Sequence, residues 1–269
     1  MYNIKSYVSN SASVQNLVTD DEFVRIIRQP RSPYIINWGA NKLPKLKPNV
    51  KYVWANHPTV TAVFSDKVRL HWLVSNSPDL KDDFIETTTD PVQAKTWELT
   101  GHSVVCRTLT RSSNGKGMHI VDPNSPDADE RLIQNEKGAK VRLWSKYFKK
   151  RAEYRLHAGI LPNGEFRLIC IQEKRKRLAY EGDIRLRNSD GFIFRARTEA
   201  EVPRTVIETA KRVMIGMREL LPHTAFAGID IAYNQHYDKA RVIELNSAPG
   251  IGVEDANCYR EFFKEYFRG

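Results

Sequence analysis

Cysteine is scarce in this chain. There are three among 269 residues, Cys106, Cys170 and Cys258, far apart and without a CxxC pair. That argues against a disulfide framework and a structural zinc site, and makes a reducing cytoplasm the expected compartment. Long apolar runs are missing as well, since no stretch approaches the ~18 uninterrupted apolar residues of a membrane span. The opening MYNIKSYVSN has no basic patch followed by an apolar run, so no secretory leader is expected. The seven histidines fall into neither HxxxH nor HExxH spacing, and the GxxxxGK[ST] phosphate loop does not occur. No signature of a nucleophilic triad is present either. What the chain does have is an apolar fraction of 41% with 11 Phe, 11 Tyr and 5 Trp, the composition of a folded globular protein. Its 42 Lys and Arg outnumber 32 Asp and Glu for a formal charge of +10, which favours acidic partners: nucleotides, nucleic acid or an acidic protein tail.

The patterning predicts a mixed α+β protein. Apolar runs at 34–39 and 50–56 end in Gly or Asn, as strands entering loops do, and a Pro- and Lys-rich loop lies between them. Ser65-Asp66 opens a helix to about Val74, and Pro91 begins another that ends at Leu99 before Gly101. Strands are predicted at 104–110, 141–148, 153–160 and 165–172, with Asn163-Gly164 as a hairpin turn. A second hairpin is predicted over 183–197, turning at Asn188 to Gly191. Val206, Ala210, Val213, Met214, Met217 and Leu221 make one apolar face of a helix over 203–221. Strands at 225–233 and 241–245 and a helix near 256–267 close the chain.

Three constellations carry chemistry. Glu244 and Asn246 are two apart in Val242-Ile243-Glu244-Leu245-Asn246, so they share a strand face, with Ile243 and Leu245 on the buried one. Were the strand holding Gly228-Ile229-Asp230 its neighbour, Asp230 would complete a three-oxygen set of the kind Mg2+ uses with phosphates. The second is the loop Ser112-Ser113-Asn114-Gly115-Lys116-Gly117 after a strand, where glycines let backbone N–H groups turn to a phosphate and Lys116 adds charge; an ordinary flexible hairpin reads the same way. Arg107, on the entering strand, could reach the same phosphates. The third is the arginine pattern of the 183–197 hairpin (Arg185, Arg187, Arg195, Arg197). Like charges on facing strands need a neutralising anion or a solvated face. The clusters Lys149-Lys150-Arg151 and Lys174-Arg175-Lys176-Arg177 are consistent with a nucleic-acid surface or with solvated strand ends, and no nucleic-acid-binding motif accompanies them. His157 lies on the same strand face as Arg155 and reads as an ordinary strand histidine or a cleft residue.

Taken in order, these features resemble the ATP-grasp superfamily, and within it the RimK-type carboxylate–amine ligases. The similarity runs from about Val53 to Phe263. It comprises Ala55-Asn56-His57-Pro58 with Ser65-Asp66-Lys67, the strand and glycine loop over 104–117, Glu153-Tyr154-Arg155, Glu181-Gly182-Asp183-Ile184-Arg185, Gly228-Ile229-Asp230 and Glu244-Leu245-Asn246-Ser247-Ala248-Pro249-Gly250. The resemblance implies two α+β subdomains gripping ATP, about 103–180 and 181–269 within a grasp domain over 61–269. A short, truncated α/β pre-grasp region over 1–60 precedes them. It places Lys67 and Arg107 on the ATP phosphates, and Ser113, Asn114, Gly115, Lys116 and Gly117 in the loop that closes over them. The adenine hinge falls near 144–148, with Lys146, Tyr147 and Phe148. That hinge usually carries an acid, and here Ser145-Lys146 stands there, which leaves Glu153 as the nearest candidate for the ribose. Arg185 and Arg155 are the implied catalytic residues, and Asp230, Glu244 and Asn246 the implied ligands of Mg2+ or Mn2+.

The implied reaction activates a carboxylate as an acylphosphate at the expense of ATP and joins it to an amine. The acceptor would be an anionic or carboxylate-bearing amino acid, peptide or acidic protein tail. Two alternatives stand beside this reading: an ATP-grasp kinase acting on a small hydroxyl substrate, and a basic ATP-binding protein associated with nucleic acid.

Overall fold

A computed structural model describes residues 4–6, 10–28, 34–42, 45, 50–111, 116–176 and 192–268. Three sheets organise them. Strands β1 (Ile4–Ser6), β2 (Tyr34–Trp38) and β3 (Val53–Ala55) form a parallel sheet accompanied by helices α1 (Ala12–Leu17) and α2 (Asp21–Arg28). All of these elements lie before residue 60. Helices α3 (Pro58–Phe64) and α4 (Lys67–Ser75) follow. Next comes an antiparallel sheet of β4 (Thr87–Thr88), β5 (Val104–Arg107), β6 (Met118–Val121) and β7 (Leu143–Lys146), in the order β4-β7-β5-β6. Helices α5 (Pro91–Leu99) and α6 (Ala128–Ile133) back it through a core of Ala94, Trp97, Val104, Leu132 and Trp144. The third sheet is antiparallel, in the order β10-β9-β8-β11-β12, from β8 (Ala152–Ile160), β9 (Phe166–Lys176), β10 (Phe192–Arg197), β11 (Phe226–Asn234) and β12 (Lys239–Asn246). Helices α7 (Arg204–Leu220) and α8 (Val253–Arg268) complete the described chain.

Local chemistry explains the helix ends. Asp66 caps α4 by accepting from the N–H groups of Val68 (3.1 Å) and Arg69 (3.4 Å). Asp90 caps α5 through Val92 N (2.9 Å), with Pro91 at the first helical position and Gly101 in the left-handed region just beyond the end. The predicted hairpin turn is present, with Gly164 at φ +90° between β8 and β9. On α7 the side chains of Val206, Ala210, Val213, Met214 and Met217 are all buried in the core shared with β8, β11 and β12, while Leu221 lies at its margin. A second core is aromatic: Trp38 stacks on Phe226 and meets Tyr259 edge-on, joining β2, β11 and α8.

One expectation is corrected. Ile243 does not share a buried face with Leu245. Asp230 pairs with Glu244 but the next residue, Ile231, pairs with Val242, so Ile243 is the extra residue of a β-bulge. The bulge shifts the alternation: Val242 and Leu245 are buried while Ile243 turns to a cavity. The arginine face expected of the second hairpin lies only partly among the described residues. Residues 183–191, Arg185 and Arg187 among them, lie outside the described residues. In the described half Arg197 donates to Glu173 (2.6 and 2.8 Å), so a carboxylate of the protein itself neutralises it.

Asn56, at φ 64° and fully buried, ties the parallel sheet to β11. Its Oδ1 accepts from Ala225 N (2.8 Å) and Phe226 N (3.2 Å), and its Nδ2 donates to Phe226 O (2.8 Å). Asn56→Ala orphans those groups and places alanine in a left-handed conformation. Its expected cost is about 2–3 kcal/mol of unfolding free energy, to be read from a denaturant melt.

Candidate active site

The four-stranded and five-stranded sheets face each other across a cavity of about 230 Å³. Its walls follow from the elements just described. The N-terminus of α4 brings Lys67, β5 brings Arg107, and β7 with the residues after it brings Lys146, Tyr147 and Phe148. From the other sheet come Glu153, Lys174 and, through the bulge, both Ile243 and Glu244. Apolar side chains of Leu70, Val105, Met118, Leu143 and Val242 also line it. The cavity is therefore lined by apolar side chains with charged groups around them.

Those charges are matched one against another. Lys67 Nζ lies 3.3 Å from Glu244 Oε2, and Lys146 Nζ 3.5 Å from Glu86 Oε2. The buried carboxylate of Glu153 is clasped by Lys174 at 3.1 Å and by Lys150. Lys150 and Lys174 thus leave the two basic clusters of the sequence and belong to the cavity wall. The clue was that Lys174 is two residues from Gln172 on a strand, but its acidic partner lies on another element.

Beside the cavity, strand register sets Gln172, Arg155, Asp230 and Glu244 in one row across β9, β8, β11 and β12. Asp230 is 1% exposed, and both its oxygens accept from Arg155, Nε at 2.6 Å and Nη2 at 2.8 Å. A carboxylate that deep needs such a partner, because an unpaired buried charge is prohibitively costly. Two aromatic rings of β10 cover the cations: Phe194 lies 4.7 Å from the Arg155 guanidinium and Phe192 4.5 Å from the Lys174 ammonium.

Asn246 lies opposite Gly228, one step along the same face, and its Nδ2 donates to Gly228 O (3.4 Å), leaving Oδ1 as the amide's acceptor. Asp230, Glu244 and Asn246 therefore lie on one sheet face. There Glu244 and Asn246 offer the hard oxygens that a divalent cation such as Mg2+ takes, while both oxygens of Asp230 accept from Arg155. The acidic part of the set is only a pair: among the described residues no group of three or more His, Cys, Asp and Glu is placed to hold an ion.

Of the remaining candidates, Lys116 and Gly117 are described but do not line the cavity. Gly117 closes the base of its loop, its carbonyl accepting from Thr108 N at 2.8 Å with φ +69°. Ser113, Asn114, Gly115 and Arg185 lie outside the described residues. In the hinge, the N–H groups of Lys146 and Tyr147 are engaged by the carbonyls of Glu86 and Ser103, each at 2.9 Å.

His157 is a core residue. It is fully buried, with Nδ1 3.0 Å from Tyr259 Oη and Nε2 3.3 Å from Gln172 Oε1. Burial first, then the Arg155 charge, push its pKa down to about 4. The folded state thus favours the neutral ring. Its contribution to stability is complete above about pH 6.5 and is lost as pH falls toward 4, at about 1.4 kcal/mol per pH unit. Melting temperature is expected to fall over that interval, and His157→Gln, which keeps a hydrogen-bonding side chain, is expected to flatten the slope.

No protein-family model and no curated protein sequence matches the chain, but solved structures do. D-alanine–D-alanine ligase from Bacillus anthracis, complexed with ATP, superposes with a TM-score of 0.60 at 12% identity, over 98% of this chain and 94% of that one. Biotin carboxylase from Campylobacter jejuni, in a β,γ-ATP complex, gives 0.59 at 10% identity over 87% of this chain and 54% of that one. N5-carboxyaminoimidazole synthetase from Staphylococcus aureus, complexed with ADP, gives 0.53 at 15% identity over 74% of this chain and 49% of that one. The fold is the ATP-grasp fold. The chain spans about half the length of the carboxyaminoimidazole synthetases that it matches. In the ATP-grasp fold of this chain, the cavity between the two sheets is where β5, β7, β8 and β12 place Arg107, Lys146, Glu153 and Glu244 together. No helix among the described residues is long and apolar enough to cross a membrane.

Proposed function

We propose that this chain is an ADP-forming ligase of the RimK-like kind, which activates a carboxylate with ATP and joins it to an amine. The observation that carries the reading is the cavity itself. An apolar slot between the grasping sheets ends at Lys67, Arg107 and Glu244, and Glu244 is paired in register with Asp230 beside Asn246.

The purine would lie between Val105, Met118 and Leu143 on one side and Val242 and Ile243 on the other. With the N–H groups of Lys146 and Tyr147 already used, Phe148 N is the hinge donor left for the base. Lys67 and Arg107 would bind the phosphates, Arg107 bidentately. Magnesium, held by Glu244 and Asn246 with Asp230 beside them, would supply charge neutralisation on the phosphate oxygens. The carboxylate oxygen attacks the γ-phosphorus, giving acylphosphate and ADP. The amine then attacks the acyl carbon, expelling phosphate as the C–N bond forms. The protein's part is positioning and electrostatic stabilisation, with no covalent nucleophile. Arg155 would act here through Asp230, and Arg185 would meet the acceptor carboxylate. The acceptor class that the basic character favours is an anionic amino acid, peptide or acidic protein tail.

The test is incubation with ATP, Mg2+ and pooled amino acids and peptides. ADP release requiring both a carboxylate and an amine, with a new amide by mass spectrometry, supports the ligase. A stable phosphorylated hydroxyl product instead would make the protein a kinase.

A further inference from the structure

Lys67 is held where two different anions compete for it. Its backbone is fixed, since Lys67 N donates to Thr110 O (3.0 Å) and Asp66, which caps the same helix, also pairs with Arg111 Nε at 3.1 Å. Its ammonium lies 3.3 Å from Glu244 Oε2, with both side chains only 14% exposed, and both line the nucleotide cavity. An ammonium and a divalent cation cannot both sit against one carboxylate in a sheltered site without strong mutual repulsion. Asp230, the register partner of Glu244, is likewise matched to a cation, Arg155. The acidic pair is therefore already electrically satisfied by the chain's own side chains.

We propose that Lys67 and the divalent cation exclude each other at Glu244, and that a polyphosphate, by drawing Lys67 to itself, delivers Glu244 to the cation. Lys67 then couples the two ligands. The nucleotide raises the affinity for the cation and, by linkage, the cation raises the affinity for the nucleotide by the same factor. The coupling also protects the site from divalent cations arriving without phosphate. The polyanion is the nucleotide of the reading above, on which this inference rests, but the competition at Glu244 is testable without any nucleotide.

The experiment is titration of the full chain with Mn2+ alone, followed by electron paramagnetic resonance of the free ion. Lys67→Met is expected to bind Mn2+ at least tenfold more tightly than the wild type, and Lys67→Arg, which keeps the cation, to stay at the wild-type value. Lys81→Met removes a lysine that also lines the cavity and is expected to give no such gain, which separates competition at Glu244 from a general change of charge. Adding Glu244→Gln to Lys67→Met is expected to abolish the gain. Lys67→Gln serves should the methionine variant not fold, as judged by circular dichroism. Equal Mn2+ affinity in wild type and Lys67→Met, or an equal gain in Lys81→Met, overturns the proposal. Calorimetry of the wild type with a non-hydrolysable ATP analogue and Mg2+ keeps the two readings apart. If the analogue fails to bind, the nucleotide reading falls; if it binds and Lys67→Met gains nothing, only the competition does.

Discussion

Replacing Arg155 with methionine is expected to cost the protein about 3–5 kcal/mol of stability, because it takes a charge-assisted, two-pronged partner from a buried carboxylate. Asp230 is 1% exposed and receives two hydrogen bonds from the Arg155 guanidinium. Methionine fills much of the volume and keeps a contact for the Phe194 ring, so packing changes little while the charge loses the two hydrogen bonds that Arg155 donates. Net stabilities of about 5–15 kcal/mol make this a large fraction of the total. In a chain of this size it corresponds to a fall in melting temperature on the order of 10 °C. The double variant Arg155→Met with Asp230→Leu removes both charges and is expected to recover most of the loss, as apolar replacements of buried ion pairs do. A single variant that melts with the wild type would show that Asp230 is solvated or otherwise neutralised, and would remove the basis for treating the pair as a unit.

That pair also marks the boundary of what could be read in advance. Signals contained in one element were legible. Asp90-Pro91 and Gly101 bracket α5, and the 3- and 4-residue spacing from Val206 to Met217 defines the buried face of α7. Helix α3 carried the same signal as α5, Pro58 at its first turn, with the less usual cap His57 in place of an aspartate. Within the site, the common face of Glu244 and Asn246 follows from their spacing alone. The placement of Asp230 opposite Glu244 does not, since it depends on which strands become neighbours. The bulge at Ile243 is subtler, because one extra residue inverts the alternation upstream of it, and nothing in Val242-Ile243-Glu244 distinguishes that from a regular strand. The ion pairs were the least legible. Lys67 finds Glu244 on the facing sheet, and Lys174 finds Glu153 on the adjacent strand, although its sequence neighbours are mostly basic. Charge clusters in sequence report composition; whether a given lysine is solvated or internal is settled by what the fold places against it.

Glu244→Ala is expected to abolish Mg·ATP-dependent turnover while the protein stays folded. The two halves of that expectation have separate causes. Glu244 sits at a cavity wall, its side chain 14% exposed, and it pairs with Lys67, whose ammonium is on a long flexible stem. With the carboxylate gone, the lysine stem can carry its ammonium toward solvent, so the melting temperature should move little. Its carboxylate, however, lies 3.3 Å from Lys67 and shares a strand face with Asn246, where the phosphates would lie. Losing a group that neutralises charge developing in a transition state costs on the order of 10²–10³-fold in rate. Loss of an entire cation with it would take the rate below detection. Glu244→Gln keeps the shape and an oxygen but not the charge, and should fall nearly as far. Glu86→Gln, which breaks the more exposed ion pair with Lys146 at the same cavity, is the control and should retain most activity. An active Glu244→Ala protein would remove Glu244 from the metal set. One that unfolds would assign Glu244 a structural role that the ion pair with Lys67 does not account for.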